Sequence, residues 1–519
     1  MAPNYLSPGV YVEEVDRGAK PIEGVATAVA AFVGYTSKAE DPRTGESLIG
    51  KPTLVTNWTQ YTAAFGGFIE GAYTPDAVYG FFNNGGTRVY VVSVKTLGVA
   101  SEDAKAISAS GTLLSAGDKP VETLEFTAKE GGPLGNNITI TATPDPVKDG
   151  EEPTFTLTIS NNETTEKFAG LSLKKSGPNS VETVVKSQSK LVDAKIVAKD
   201  TKLVPAGETQ LSGGKLETKP IGLADYTGDA AKRIGLGGIE AIPDVTMLVA
   251  PDLMSAYESG ELDKKGVQAV QQAMIDFSER TRYVFSILDC PPNLTPQEVY
   301  EWRMDMNYDT TRAALYYPWV QVGDPLRPGK TKFVPPSGLI AGLYARVDDT
   351  RGVHKAPANE IVRGALGLEI NVTKGEQDML NPVGINCIRS FPGRGIRVWG
   401  ARTLTSDPAW RYISVRRLFN YIEASIERNT QWAVFEPNDY MLWGRLNRDI
   451  TAFLKNVWRS GALFGRTPQE AFYVKVDEEL NPPEVRDLGQ LFVEIGIAPV
   501  KPAEFLIIRI GQWSPEGGA

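Results

Sequence analysis

The sequence predicts an α/β core interrupted by a small inserted β-domain, an α+β C-terminal domain, and an extended strand arm at each end. Three observations carry this reading. Strand-like apolar runs alternate with helical spacings on both sides of a middle stretch, that stretch changes composition at both of its borders, and two β-prone segments near the ends have no local partner.

The first part of the core is expected over 25–97. Ala28 to Tyr35 reads as a buried strand, Trp58 to Phe65 as a short helix with Thr56 and Asn57 as candidate caps, and Thr74-Pro75-Asp76 as the start of another helix through Phe82. After the Asn84-Gly85-Gly86 turn, Arg88 to Val94 reads as a strand. From 98 to 222 the chain turns rich in Thr, Ser, Lys and Glu, and between Gly98 and Pro220 it has no Trp, Tyr, Cys or Arg. Period-2 alternation over 123–128, 137–142 and 154–159, with turns such as Asp149-Gly150, predicts a small β-domain set into a loop of the flanking fold.

Strand and helix signals resume over 223–385, the second part of the core. Val245 to Ala250, Tyr283 to Asp289 and Ala313 to Val320 read as buried strands. Helices are expected over Lys265 to Thr281, from Thr295-Pro296 to Met306, and after Pro336 to about Val347, which together imply a mostly parallel sheet covered on both faces. In the C-terminal domain, 386–495, Asp407-Pro408 is expected to open a helix to about Trp432, and Asn438-Asp439 a second with Leu442, Leu446, Ile450, Phe453 and Val457 inward and Gly461 as its stop. Leu491 to Ile495 reads as a strand, with Leu491, Val493 and Ile495 as candidates for a receiving sheet.

The arms are Val10-Tyr11-Val12-Glu13-Glu14-Val15 within 1–24, and Phe505-Leu506-Ile507-Ile508-Arg509-Ile510 within 496–519. Breaker residues tether them: Gly18, Pro21 and Gly24 on one side, Gly496, Pro499 and Pro502 on the other. A strand without a hairpin neighbour must pair at a distance, in its own chain or in another, which points to a lattice rather than a catalyst.

Composition narrows the function classes. A net charge of −9 without a long Lys/Arg cluster argues against nucleic-acid binding, no apolar run approaches the roughly 20 residues of a membrane span, and the start lacks the signature of a secretory signal, so folding in the cytoplasm is expected. Cys290 and Cys387 read as reduced core residues, and His354 as the single histidine starves triads, histidine-rich zinc sites and histidine acid/base pairs of material. No catalytic residue, cofactor or metal is expected. Asp252 and Asp289 end parallel-type strands but read as capping or turn residues. Gly235-Leu236-Gly237-Gly238 lacks the lysine and spacing of a phosphate loop, and Gly393-Arg394-Gly395 reads as a turn entering a strand in preference to an anion site. Arg445, Arg448, Lys455 and Arg459 recur on the outward side of the last long helix, as a solvated face or as a positive stripe for an acidic partner.

Together these segments resemble the tail sheath proteins of contractile phage tails and related injection systems. The resemblance is carried by Ser7 to Glu14, by Gly132 to Ile138, by Arg351 to Asn359 (where His354 replaces the family's tryptophan), and most specifically by Gly400 to Leu404, Trp410 to Ile413, Phe435 to Asp439 and Pro502 to Phe505. It implies a subtilisin-like core without the protease's active residues, hexameric rings stacked helically around an inner tube protein, and baseplate and terminator or cap partners. It also implies strand exchange through the two arms, with the Arg445–Arg459 stripe facing the tube and the inserted domain outside. Another strand-swapped lattice protein, or an α/β hydrolase-like enzyme, are the alternatives.

Overall fold

The computed structural model describes residues 21–98, 105–116, 120–146, 152–161, 164–200, 202–217 and 220–510. The arm Val10–Val15 and Gly18 lie outside them. The chain divides into two compact units. One contains the described residues before Thr27, Arg351–Lys355 and those from Ser414 on; the other contains Thr27–Thr350 and Ala356–Ile413.

The larger unit is organised by an eight-stranded sheet. From edge to edge its strands are Thr53–Val55, Arg88–Thr96, Val29–Thr36, Met247–Val249, Phe285–Leu288, Ala313–Tyr317, Ile385–Phe391 and Gly395–Val398. The six inner strands run parallel and each outermost strand is antiparallel to its neighbour. Every residue of Val29–Thr36 is buried because both faces of the sheet are covered. Its side chains alternate between two cores: Ala31, Val33 and Tyr35 enter one, Ala30 and Phe32 the other. Cys290 and Cys387 are buried free thiols in the first of these cores.

On the other face, helix Ser337–Arg351 crosses helix Thr74–Asn84 at very close range. A Cβ on Gly338 would lie 2.4 Å from the Ala77 Cα, and one on Gly342 2.4 Å from the Phe81 carbonyl oxygen. Only glycine permits this approach.

Three expected boundaries move. The run Ala313 to Val320 is two strands, Ala313–Tyr317 and Val320–Gly323, because Pro318 between them has no N–H for a ladder. The helix expected from Asp407 starts at Ile413: Tyr412 bridges to Arg402, the Thr403 N–H reaches the Arg411 carbonyl and the Ile413 N–H the Ala401 carbonyl, so 411–412 is held in pairing, while Asp407 closes a turn onto the Ala409 and Trp410 N–H groups. The C-terminal unit consequently begins at Ser414, not 386, since Ile385–Phe391 and Gly395–Val398 complete the large sheet.

The inserted segment has its own core, including Phe126, Ile140, Leu157, Val185 and Leu211. Glu122–Ala128 lies between two strands of a three-stranded sheet, and Thr139–Pro144 with Phe155–Ser160 forms the middle of a four-stranded one. The strict alternation in Phe155–Ser160 buries Phe155, Leu157 and Ile159 and leaves the hydroxyl residues outward. Lys105–Ile107 and Lys215–Glu217 pair antiparallel where the segment leaves and rejoins the core.

In the smaller unit, helices Ile413–Asn429 and Tyr440–Arg459 enclose a core of Leu418, Ile422, Leu446, Ile450, Phe453 and Leu454, closed by Ile22 and Val353. Asp439 caps the second helix by accepting from the N–H groups of Met441 (3.0 Å) and Leu442 (2.9 Å). Gly461, at φ +83, follows that helix and its cap residue Ser460. Among the described residues no helix is long and apolar enough to cross a membrane.

Candidate assembly interface

Phe472–Lys475 and Glu494–Ile497 form a two-stranded antiparallel sheet in the smaller unit, with Val474 opposite Ile495 and Tyr473 opposite Gly496. The strand expected over 491–495 is therefore displaced to Glu494–Ile497. Ile495 is in it, whereas Leu491 and Val493 precede it and pack against the unit's core. The displacement has a local cause: the Asn481 side chain bonds both backbone groups of Phe492, holding the chain there in a loop.

The two edges of this sheet differ. The Ala498 N–H bonds the Ala471 carbonyl, so by antiparallel alternation Phe472, Val474, Ile495 and Ile497 direct their backbone groups outward. On the Phe472–Lys475 side the chain serves itself, with the Phe472 N–H on the Pro468 carbonyl and the Val474 carbonyl accepting from Asn447 Nδ2 at 3.0 Å. On the other side Ile495 and Ile497 make no outward hydrogen bond with the described residues. One edge is partly closed and one is open.

The tether residues sort accordingly. Gly496 is a strand residue, its missing side chain replaced by the Tyr473 ring, 2.1 Å from where a Cβ would sit. Pro499 bridges to Leu463, and the Val500 N–H reaches the Ala462 carbonyl at 3.2 Å. Gly496 and Pro499 are thus docked, correcting their expected place in a free tether, and Lys501 to Ala503 around Pro502 pairs with no described strand. At the other end Gly24 is also docked: Val25 N–H donates to Ser425 Oγ, Asn429 donates to the Glu23 carbonyl, and a Cβ on Gly24 would meet the Tyr421 hydroxyl. Pro21 is exposed, one residue before the buried Ile22.

Phe505 to Ile510 makes no backbone pairing with the described chain. Phe505 is 70% exposed, Leu506 85% and Ile510 92%, so apolar side chains stand free on both faces of the segment. Such a run in water is costly, at about 25 cal/mol per Å² of apolar surface that a partner would otherwise cover.

The outward face of Tyr440–Arg459 presents Met441, Arg445, Arg448, Ala452, Lys455 and Arg459, all exposed and spaced at steps of three and four, without a carboxylate among them. Arg445 stacks 4.1 Å from the Trp432 ring centroid and lies 3.8 Å from Glu436, and Arg448 lies 3.2 Å from Asp449. Lys455 and Arg459 make no ion pair with the described residues.

The carboxylates at the strand ends are structural clamps. Asp252, fully buried, accepts from Tyr35 N–H (2.6 Å), Thr74 N–H (3.1 Å), Thr74 Oγ1 (2.5 Å) and Tyr73 N–H. Asp289 accepts from the N–H and hydroxyl of Ser337. Burial pushes both up, to about 6 and about 7, against the opposing pull of these donors. His354 belongs to the other compact unit, and Gly235 opens a short helix.

This is an α/β scaffold with a separate β-rich insert and a small unit that keeps an open sheet edge. The phage tail sheath protein central domain matches residues 247–404 and the phage tail sheath C-terminal domain residues 405–512, together just over half the chain. The Burkholderia phage BcepMu tail sheath protein is 27% identical over 337 residues, covering 61% of this chain and 67% of that protein. A putative prophage major tail sheath protein of Pseudomonas aeruginosa is 28% identical over 258 residues (48% and 64%), and the tail sheath protein of Vibrio phage KVP40 is 30% identical over 184 residues (35% and 26%). The chain thus spans about a quarter of the Vibrio phage protein and about two-thirds of the other two. Among solved structures, the contracted helical sheath of the anti-feeding prophage superposes with a TM-score of 0.59 at 25% identity, over 97% of this chain and 99% of that one. The protein belongs to the contractile tail sheath family, whose members build phage tails and phage tail-like injection particles.

Proposed function

We propose that this chain is a structural sheath subunit, with no catalytic role, that polymerises as stacked hexameric rings around an inner tube and contracts to drive the tube through a target envelope. The terminal arms keep the mesh connected: Phe505–Ile510, and Val10–Val15 likewise, each add a strand to a neighbour's sheet. The observation that carries this is a matched pair of deficits on one chain, the unpaired apolar run at 505–510 and the open edge at Ile495 and Ile497. Around five backbone hydrogen bonds per added strand, at about 1 kcal/mol net each, plus burial of the arm's side chains, make a joint of several kcal/mol.

The swinging tether on this side is Lys501 to Ala503, which reaches about 10 Å at roughly 3.3 Å per residue. Subunit bodies reorient as nearly rigid units while the joints persist, and new body-to-body contacts lower the energy, so the extended sheath is metastable and consumes no nucleotide. The Arg445–Arg459 stripe faces the inner tube in the extended state, the inserted domain lies on the outer surface, and the core is a subtilisin-like scaffold. Baseplate and terminator proteins close the ends, and assembly takes place in the bacterial cytoplasm.

Truncation after Pro502 tests the reading, with removal of residues 1–18 as its counterpart. Each truncated chain should stay folded by circular dichroism and lose polymerisation in sedimentation and electron microscopy. Normal striated cylinders from either would sink the strand-exchange mechanism.

A further inference from the structure

The turn Gly393-Arg394-Gly395 lies in the hairpin Ile385–Phe391/Gly395–Val398, and the hairpin carries an uncompensated positive charge. Arg389 and Arg397 are directly opposite one another in its register. Directly opposed like charges on a strand pair are destabilising, with Cβ atoms only about 5 Å apart. Arg394, at the tip, adds a third charge, its guanidinium 5.6 Å from the Phe391 ring and 5.9 Å from the Trp399 ring. Those two rings lie 4.6 Å apart at 53°, and Arg389 lies 5.4 Å from Phe391, so Arg389 and Arg394 are propped on an aromatic platform.

Their hydrogen bonds all go to neutral acceptors. Arg389 reaches the Val372 carbonyl and Gln377 Oε1, Arg394 reaches Asn359 Oδ1, and Arg397 reaches the carbonyls of Arg394 and Asn359 together with Asn359 Oδ1. None of the three forms an ion pair with a described carboxylate. Arginine presents five donors, so each guanidinium keeps free N–H groups for a carboxylate.

We propose that this hairpin docks a carboxylate-rich face of a second copy of this chain, its 477–487 segment. Charge complementarity selects that occupant. The segment holds Asp477, Glu478, Glu479, Glu484 and Asp487 against one base, Arg486. Glu478, Glu479, Glu484 and Asp487 are exposed, and among the described residues only Lys475 offsets Asp477 (3.8 Å) and Glu479 (2.5 Å). Because the basic hairpin and the acidic segment are different patches, the contact is heterologous and can repeat from copy to copy, closing into a ring or running on as a helix. The inference rests on the self-assembly reading above but not on the arms.

The test uses the full chain and measures the critical concentration for polymerisation by pelleting at low and high salt. Arg394→Glu with Arg397→Glu, and separately Glu478→Arg with Glu479→Arg, should each raise it by about tenfold or more. The chain carrying all four changes should return to within about threefold of the parent. Arg394→Gln, which keeps Arg397 and its backbone contacts intact, should give a smaller rise that vanishes at high salt. Unchanged critical concentrations in the folded reversal variants, or a fourfold variant as defective as the worse pair, would overturn the docking. A parent chain that stays monomeric would overturn the self-assembly reading itself.

Discussion

Asp289, just past the strand Phe285–Leu288, accepts hydrogen bonds from both the backbone N–H (3.0 Å) and the hydroxyl of Ser337, the first residue of helix Ser337–Arg351. One buried carboxylate thereby ties a central strand to the start of a helix. Asp252 does the same between its own short helix, the strand Val29–Thr36 and the helix Thr74–Asn84.

A pH dependence follows. Burial raises Asp289 to about 7 and Asp252 to about 6 in the folded chain, against about 4 in an unfolded one. The folded state therefore holds these protons more tightly, and the stability they contribute is full below about pH 4 and is lost as pH rises through about 6 and then about 7, at up to roughly 1.4 kcal/mol per pH unit and group. Thermal unfolding of the polymerisation-deficient truncation should show this decline, and Asp289→Asn should flatten its upper part. A variant profile superimposable on the parent's would count against the clamp.

The close crossing of helices predicts unequal costs for two helical glycines. Gly342→Ala should destabilise by about 1–3 kcal/mol through overpacking, because its Cβ would press on the Phe81 carbonyl. Gly375, in helix Lys374–Leu380, faces open space, so Gly375→Ala should be neutral or stabilising by up to about 1 kcal/mol. Denaturant unfolding of the two variants side by side checks the contrast.

Asp439→Ala should remove the cap of the long C-terminal helix, at about 1 kcal/mol, while Asp439→Ser should retain most of it. The midpoint of thermal unfolding reads this directly, and equal loss in both variants would assign the effect to something other than the Met441 and Leu442 N–H groups.

Lys455→Glu with Arg459→Glu should abolish co-assembly with the inner tube while leaving tube-free, contracted-type sheath possible, since neither side chain is tied up in an ion pair within the described chain. Negative-stain images of both products would decide it. Unimpaired tube-bound sheath would remove the stripe from the interface.

Much of the fold was legible in local pattern. The helix Trp58–Phe65 with its Asn57 cap was expected at those bounds, and the inward set Leu442, Leu446, Ile450, Phe453 and Val457 is buried as helical spacing requires. Several of the misreadings share one cause: residues outside the local stretch decided the outcome. Asp407-Pro408 has the chemistry of a helix start, but pairing of Tyr412 with Arg402 delays the helix to Ile413. Gly24, Gly496 and Pro499 have the chemistry of hinges, yet Tyr421, Tyr473 and Leu463 hold them in place. Signals for Asn447 and Pro468 as edge closers were absent, because a sheet edge is satisfied by whatever the fold brings near.

What the sequence by itself determined is what neighbours along the chain control: strand alternation, caps, turn residues, the poverty of histidine, and the apolar character of 505–510. Tertiary structure alone decided which partners these features met. Among the described residues it left the Ile495–Ile497 edge open while partly closing the other, opposed Arg389 to Arg397, and brought Ser337 onto Asp289. Local preferences act over a few bonds, whereas pairing, burial and charge neutralisation depend on residues from a few to hundreds of positions apart.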